Sequence, residues 1–491
     1  MILLRILCGF AFALAAHSIA AQPAAQGGNR PALDPATLTQ QQISGVTVPE
    51  VLYQLAATYK AAGDHERLVW SLQRLIVLQP NVGDIKLALA TAYAVQGDKS
   101  RTYDTLLRMQ QQGYGYDLGD NPNFEKVHGT EAWDFIVDSL RKSLAPFGEG
   151  KVAFTLPRGD HLYESLAWDP KRERLLVGSV RDGTIQIADA QGRLKPFIAP
   201  DAGNGLWSVY AMAAVPEDDA LYVASTSSVY FKGFSQQDFG KAGVFRFRLS
   251  DGKFVDKVLL ESGNQPNTLS SIAAGPGGRV FAADGLRNII YKLDGGALKP
   301  MVANPRLTSV RGLALSGDRS RLYFADHTLG VFGVDLAAGK AFDLGYDVAR
   351  LVLGGVDGLY WYDGTLVAIE NRMSPRRVMR LHLSDDGRAV VRAMPLDAGK
   401  PEFELPTYGA VAGDQFYFIA NSQKNAYDAY GSPKDASKLE PVKVYRSNLR
   451  FAWAEGGVEM AAPARRPLST SKPGNGRFSN VEGGSNSVTG D

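Results

Sequence analysis

The sequence predicts a mainly-β protein, a six-bladed β-propeller preceded by a short all-α module, and three observations carry that reading. Six stretches are worn copies of one another, beginning at Glu164, Tyr210, Ser270, Arg311, Asp357 and Thr407, with spacings of 41 to 60 residues. That range suits four-stranded blades arrayed around an axis. Each copy opens on a small or polar turn, enters short apolar residues, crosses a Pro, Gly or Asp turn and ends in an aromatic or β-branched strand. Examples are ESLAWDPKRERLLVGS from Glu164, RGLALSGDRSRLYFAD from Arg311 and, more loosely, TYGAVAGDQFYFIANS from Thr407. Upstream, a different repeat pairs LAATYKAAGD from Leu55 with LATAYAVQGD from Leu89, an offset of 34 residues.

At 491 residues the chain is too long for one ordinary core. Apolar content of 45%, charged content of 21% and a net charge of +2 are ordinary globular values. Basic residues are scattered until Arg465 and Arg466, which argues against a nucleic-acid partner. Residues 1–20 read as a signal peptide: Arg5 is the basic start, residues 6–16 are the apolar run, and Ser18 and Ala20 are small where cleavage needs them. A membrane anchor is the alternative, but the run is short for a span of roughly 20 residues. The single cysteine, Cys8, falls in this segment, so the processed chain would carry no thiol or disulfide. The expected location is periplasmic or secreted, with no membrane span after signal removal. Residues 21–48, rich in Ala, Gln, Gly, Pro and Thr, read as a flexible linker, and 456–491 as a disordered C-terminal tail.

Residues 49–150 form the expected helical domain. Leu55 and Tyr59 share one helix face, and Leu89 and Tyr93 repeat it. Gly63 and Gly97 end the first helix of each pair, and Asp64 and Asp98 cap the second. Leu68, Leu72 and Leu75 continue the first buried face; Thr102, Leu106 and Met109 replace them in the weaker second copy. A further helix is expected near 130–144. The pattern resembles the tetratricopeptide repeat family over two repeats. Such a module either binds a protein partner or braces the propeller.

The propeller is expected over 151–455. TIQIAD, GVFRFRLSDG, IIYKLDGG, GVFGVDLAAG and VMRLHLSDDG read as third strands of successive blades. Residues 152–156 are expected to close the ring beside VKVYRS, which removes an exposed sheet edge. YESLAWDPKRERLLVGSV, RGLALSGDRSRLYFAD and VDGLYWYDGTLVAIEN resemble the senescence marker protein-30 (SMP-30)/gluconolactonase/LRE-like family of six-bladed propellers over about 300 residues. Similar phrases occur in NHL-repeat and strictosidine-synthase-like propellers.

The resemblance implies one divalent cation (Ca, Zn or Mn) in the axial mouth, held by a Glu, two Asn and an Asp, and a lactonase-type hydrolase. Oxygen donors suit a hard cation, which polarises a lactone carbonyl or activates water. Two of the four family positions are retained, Glu164 and Asp357, the candidate catalytic and metal-binding residues. The two Asn positions fall on Ser270 and Arg311. Arginine is cationic and offers a metal no acceptor. Three arrangements of the mouth stay open. A metal stays on Glu164 and Asp357 with help from Ser270 and Asn267; or Arg311 replaces it and clamps an anionic or sugar-derived small molecule; or Arg311, Glu164 and Asp357 form a structural ion-pair cluster. Tyr210 and Thr407, at the same place in the second and sixth copies, join Arg311, Ser270 and His161 as candidate substrate-binding residues. His161 would carry protons near neutral pH, though a lone loop His is more often a surface residue.

Asp284, Asp326 with His327, Glu370 and Asn421 end second-strand phrases, where polar residues mostly cap turns. Trp168, Trp361 and Tyr408 read as core or rim aromatics. The sequence has no G-x-S-x-G elbow, no P-loop and no cysteine metal site. The competing function is a non-catalytic ligand-binding or interaction scaffold, since propellers serve both roles.

Overall fold

The computed structural model describes residues 34–261, 265–451 and the backbone of 458–459. The signal peptide read in 1–20 and all of the tail but 458–459 lie outside these residues. The chain divides into two compact units between Leu144 and Ala145.

The first unit is helical: α1 (Gln40–Ser44), α2 (Pro49–Ala62), α3 (His65–Leu78), α4 (Gly83–Val95), α5 (Lys99–Gln111) and α6 (Glu131–Lys142). Residues 34–48 correct the linker reading. Pro35–Thr37 is a 3-10 turn, and α1 opens on a capping box in which Thr39 and Gln42 satisfy each other's backbone N–H groups. Leu38 and Ile43 are then buried against α2 and α3. A polar, Gln-rich composition concealed these local signals.

The 34-residue repeat becomes two helix pairs, α2–α3 and α4–α5. Gly63 and Gly97 adopt the left-handed backbone that ends the first helix of each pair. Asp64 and Asp98 accept from the N–H groups of Arg67 and Arg101 and so cap the second. Leu52, Leu55 and Tyr59 of α2 pack with Leu68, Leu72 and Leu75 of α3. Tyr114, standing where the first repeat has its proline, is fully buried and its ring lies over Gly83, where a Cβ would sit 2.4 Å from it. Among the described residues no helix is long and apolar enough to cross a membrane.

The second unit is a six-bladed propeller. Each blade is an antiparallel sheet of four strands, and blade 5 gains a fifth from Val458–Glu459. The inner strands are Tyr163–Asp169, Ser208–Val215, Leu269–Gly275, Val310–Leu315, Val356–Tyr362 and Gly409–Ala412. Each touches the next, and the sixth touches the first, so the ring is closed. The expected third strands are all third strands. Closure comes from Lys151–Leu156, which pairs with Val442–Asn448 as the outermost strand of blade 6.

Six apolar clusters fill the six gaps between successive blades. Alternate residues of one strand face opposite neighbours, so both sheet faces are buried. Ala220–Thr226 is buried along its whole length for that reason. Each fully buried Leu, Val or Phe side chain contributes about 1.5–3 kcal/mol, and the last gap sets Leu156, Ile419 and Val444 of blade 6 against Tyr163 and Leu166 of blade 1.

Candidate functional site

A β-bulge interrupts the start of five inner strands. Register slips between Tyr163 and Ser165, Val209 and Ala211, Leu269 and Ser271, Arg311 and Leu313, and Val356 and Gly358. The unpaired residues are Glu164, Tyr210, Ser270, Gly312 (directly after Arg311) and Asp357. Bulges re-aim side chains at sheet ends. Here they do so at the expected site positions of blades 1, 2, 3 and 5, and one residue past it in blade 4. In blade 6 Thr407 precedes the inner strand, its N–H donating to the Ile419 carbonyl at 2.9 Å.

Residues at or just after these positions line the axis: Ser165, Ala211, Ser271, Gly312 and Tyr408. Four are small, and Gly312 has to be, because a Cβ there would lie 2.6 Å from the Leu359 nitrogen. Ser165, Ala211, Ser271, Gly312 and Tyr408 enclose about 30 Å³ on the axis, room for about one water. The floor of the mouth is thus nearly sealed.

Above that floor the acids and bases converge. Arg311 Nε lies 3.8 Å from Asp357 Oδ1 and 3.2 Å from Ser309 Oγ. Glu164, on the opposite blade, is within electrostatic range of Asp357, Arg311 and Lys424. Burial raises the Glu164 carboxyl above its ordinary value; Lys424, the Ser422 hydroxyl it accepts from, and Arg311 oppose that rise. Burial works against the charge of Arg311, but Asp357, Tyr408 and Glu164 more than restore it. Burial pushes the Tyr408 phenol up to about 12 against the pull of Arg311. Burial likewise raises Tyr210, whose hydroxyl bonds Ser228 at 3.0 Å.

Asp357 is fixed from behind. Asn371 donates its amide N–H groups to Asp357 Oδ2 and to the Pro406 carbonyl, the latter at 3.2 Å. The remaining Asn371 Oδ1 faces His327 Nε2 at 3.3 Å, so that nitrogen carries the hydrogen. His327 also stands 3.8 Å from Asp357. Burial lowers its pKa; Asp357 works the other way, and Arg372 and Arg311 lower it further.

Ser270 and Thr407 are 6% and 4% exposed, yet neither hydroxyl has a hydrogen-bond partner among the described residues; Ser165, 1% exposed, is in the same state. His161 stands apart from this group. Its Nδ1 lies 2.6 Å from Asp182 Oδ2 and its ring stacks on Tyr163. Lys232 pairs with Asp182 at 2.5 Å, and Arg181 with Asp160 at 2.7 Å. This rim network underlies two long insertions, residues 227–241 of blade 2 and 420–441 of blade 6. They meet where Gly431 packs on Val229, a contact so close that a Cβ would lie 2.2 Å from the Val229 carbonyl. The insertions cover the blade 1 side of the mouth, while Arg311 keeps 31% of its side chain exposed across from them.

The reading from sequence missed Ser422, Lys424 and Asn371. The first two lie in an insertion without repeat counterparts. Asn371 follows Glu370 by one residue and carries no local signature. Asp284 and Asp326 cap turns as expected, each accepting several backbone N–H groups. Asn421 accepts from the Lys443 N–H.

The donor set does not fit a divalent cation. Among the described residues no three His, Cys, Asp or Glu side chains are grouped to hold a metal. One oxygen of Asp357 is taken by Asn371, and a guanidinium faces the other.

Glu164→Gln is expected to flatten the pH dependence of stability. The folded state holds the Glu164 proton more tightly than the unfolded chain does. The associated stability is therefore complete below the ordinary glutamate range and lost as pH rises through the raised folded value. Thermal unfolding of both proteins from pH 4 to 8 should show the wild type losing ground to the variant as pH rises. Parallel curves would show that Glu164 is not shifted.

Fold and site define a six-bladed propeller whose closed axis carries a polar, charged mouth. No protein-family model matches the sequence, and no curated protein is similar enough to count as a match. Solved structures similar to the chain include the PQQ-bound aldose sugar dehydrogenase of Streptomyces coelicolor, at 19% identity over 62% of this chain and 99% of that one, TM-score 0.40. They also include a gluconolactonase of Xanthomonas campestris, at 12% identity over 63% and 92%, TM-score 0.41. A luciferin-regenerating enzyme matches at 16% identity over 64% and 99%, TM-score 0.41. At these values the likenesses carry no argument about chemistry, and the six-bladed ring rests on its own strand pairing.

Proposed function

We propose that the propeller mouth is a small-molecule site that hydrolyses a cyclic ester, with Arg311 in the place of a metal ion. The observation that carries this is the guanidinium between two acids that differ in state: Asp357 ion-paired and hydrogen-bonded, Glu164 buried and biased toward its protonated form. Burial suits Glu164 to give up a proton to a leaving group, and Asp357, anchored by Asn371 and facing the guanidinium, is placed to accept one. In the proposed step Asp357 takes a proton from water as the water oxygen adds to the ester carbonyl. Arg311 faces the negative charge that develops on the carbonyl oxygen. Glu164 gives its proton to the ring oxygen as the C–O bond breaks, leaving a hydroxy acid. Export of the chain, read from residues 1–20, belongs to the same proposal.

The test is a pH-stat assay of the full chain, treated with EDTA, against a panel of five- and six-membered sugar lactones. Turnover is expected to survive chelation and to fall about 10²–10⁴-fold in Glu164→Gln, the usual worth of a general acid. Calcium, zinc and manganese should leave the melting temperature unchanged, because a ligand selective for the folded state would raise it. A metal-dependent rise that Asp357→Ala erases would overturn the metal-free reading. Absence of turnover on every lactone would overturn the hydrolytic one.

A further inference from the structure

The outer edges of the six blades are not protected alike. The outermost strands of blades 1 and 3, Leu194–Ile198 and Ala297–Ala303, contain Pro196 and Pro300. That of blade 5, Val390–Ala398, contains Pro395 and is covered by Val458–Glu459, and that of blade 4 has only four residues, Lys340–Asp343. Proline, brevity and cover all keep a sheet edge from pairing with another chain. Blade 6 ends on Lys151–Leu156, of which only Lys151 and Thr155 are exposed. Blade 2 ends on Phe254–Leu259, which has no proline and no cover and is exposed at every position but Val258. Phe254, Val255 and Leu259 are large apolar side chains left 37%, 45% and 43% exposed.

A register slip is confined to the start of that strand, and from Asp256 onward it pairs regularly with Ala242–Arg248. The Leu260 N–H donates to the Ala242 carbonyl at 2.8 Å. By the alternation of an antiparallel ladder, the N–H and C=O groups of Lys257, Leu259 and Glu261 therefore point away from the blade. On one sheet face Leu259 lies over Gly243, where a Cβ would sit 2.8 Å from its Cδ2, and Lys257 lies over the Phe245 ring at 5.4 Å. On the other, Val258 and Leu260 pack on the apolar cluster between blades 2 and 3. Residues 257–261 read Lys-Val-Leu-Leu-Glu. Turned antiparallel on itself about Leu259, this run sets Leu259 against Leu259, Val258 against Leu260 and Lys257 against Glu261. The register matches outward-pointing groups with outward-pointing groups, as a ladder requires, and places opposite charges across from each other at both ends. Glu261 is exposed and has no ion pair among the described residues. Lys257 donates to the Asn204 carbonyl at 2.8 Å, and its ammonium keeps further hydrogens for a carboxylate.

We infer that this edge joins two copies of the chain: their blade 2 sheets pair edge to edge through residues 257–261 into one continuous sheet, with a two-fold axis at Leu259. Such an interface uses the same patch on both partners and closes on itself, so assembly stops at a dimer. An unrelated strand has no reason to carry an acid opposite Lys257 and a base opposite Glu261. A second copy supplies both.

The experiment is sedimentation equilibrium of the full chain from about 1 to 200 μM, the range in which a small interface exchanges monomer for dimer. The average mass is expected to rise toward that of a dimer across this range. Leu259→Lys opposes two like charges at the axis, and Glu261→Lys opposes Lys257; each should weaken the dimer at least about 10-fold. The charge swap Lys257→Glu/Glu261→Lys should restore it to within about threefold of the wild type. Near-UV circular dichroism reports whether each variant is folded, and Glu261→Lys, at an exposed position, serves if Leu259→Lys is not. A monomer at every concentration would overturn the pairing. So would a dimer indifferent to Leu259→Lys and Glu261→Lys, which would lie on another face, or a dimer that the swap fails to restore.

Discussion

Glu370→Ala is expected to lower the unfolding free energy by about 3–5 kcal/mol, the usual cost of stripping one partner from a buried ion pair. Glu370 closes the second strand of blade 5 and is fully buried; its cross-strand partner Arg377 is 8% exposed. Burial raises the Glu370 carboxyl, and Arg377 only partly offsets it. Without Glu370 the guanidinium stays in the blade uncompensated. The pair is also incompletely satisfied, since Glu370 Oε1 and Arg377 Nη2 have no partner among the described residues. The double variant Glu370→Met/Arg377→Met should therefore recover most of the loss, because an apolar pair of similar volume carries no desolvation penalty. Urea unfolding of Glu370→Met, Arg377→Met and the double variant reads the coupling directly. A double variant no more stable than the sum of its parts would show that the two residues do not act as a pair. Asn371, the support behind Asp357, is the next residue, so the same single variant should loosen the mouth.

Asp357→Asn should move binding and turnover in opposite directions. The amide cannot accept a proton from water, so ester hydrolysis should fall about 10²–10⁴-fold. Arg311 meanwhile loses its only protein carboxylate within 4 Å among the described residues, and the affinity for the hydroxy-acid product of the reaction should rise. A binding protein without catalysis would show the second effect and have no turnover to lose. Loss of both would place Asp357 on the ligand itself and contradict its role as the base that acts on water.

Residue patterning carried the ring. The six copies marked every inner strand, and alternation of apolar residues on both faces follows from blades packed on blades. Glu164, Arg311 and Asp357 were legible because each opens a copy, and a repeat puts equivalent positions around one axis. His161 sits at a comparable distance along the chain but turns to Asp182 instead, since it precedes the bulge that re-aims Glu164. Ser422 and Lys424 were illegible for the opposite reason: they belong to an insertion found in one blade only, and nothing in its composition says that it folds back over Glu164. Asn371 and Tyr408 required register. Which way an amide or phenol points at a strand end depends on bulges that a one-residue shift would reverse. Residues 34–48 show the same limit in miniature, as a four-residue capping box outweighed a linker-like composition.

The pairing of Lys151–Leu156 with Val442–Asn448 also sets the timetable on which the molecule is made. Tyr445 reaches the Gly150 carbonyl across 295 residues of chain, and contacts so remote in sequence form late and slowly. A ribosome must deliver every blade before the first strand meets its neighbour. Until then a ready β edge waits in solution, open to pairing with another nascent chain. The edge of that first strand is therefore the one left unpaired longest while the chain is made.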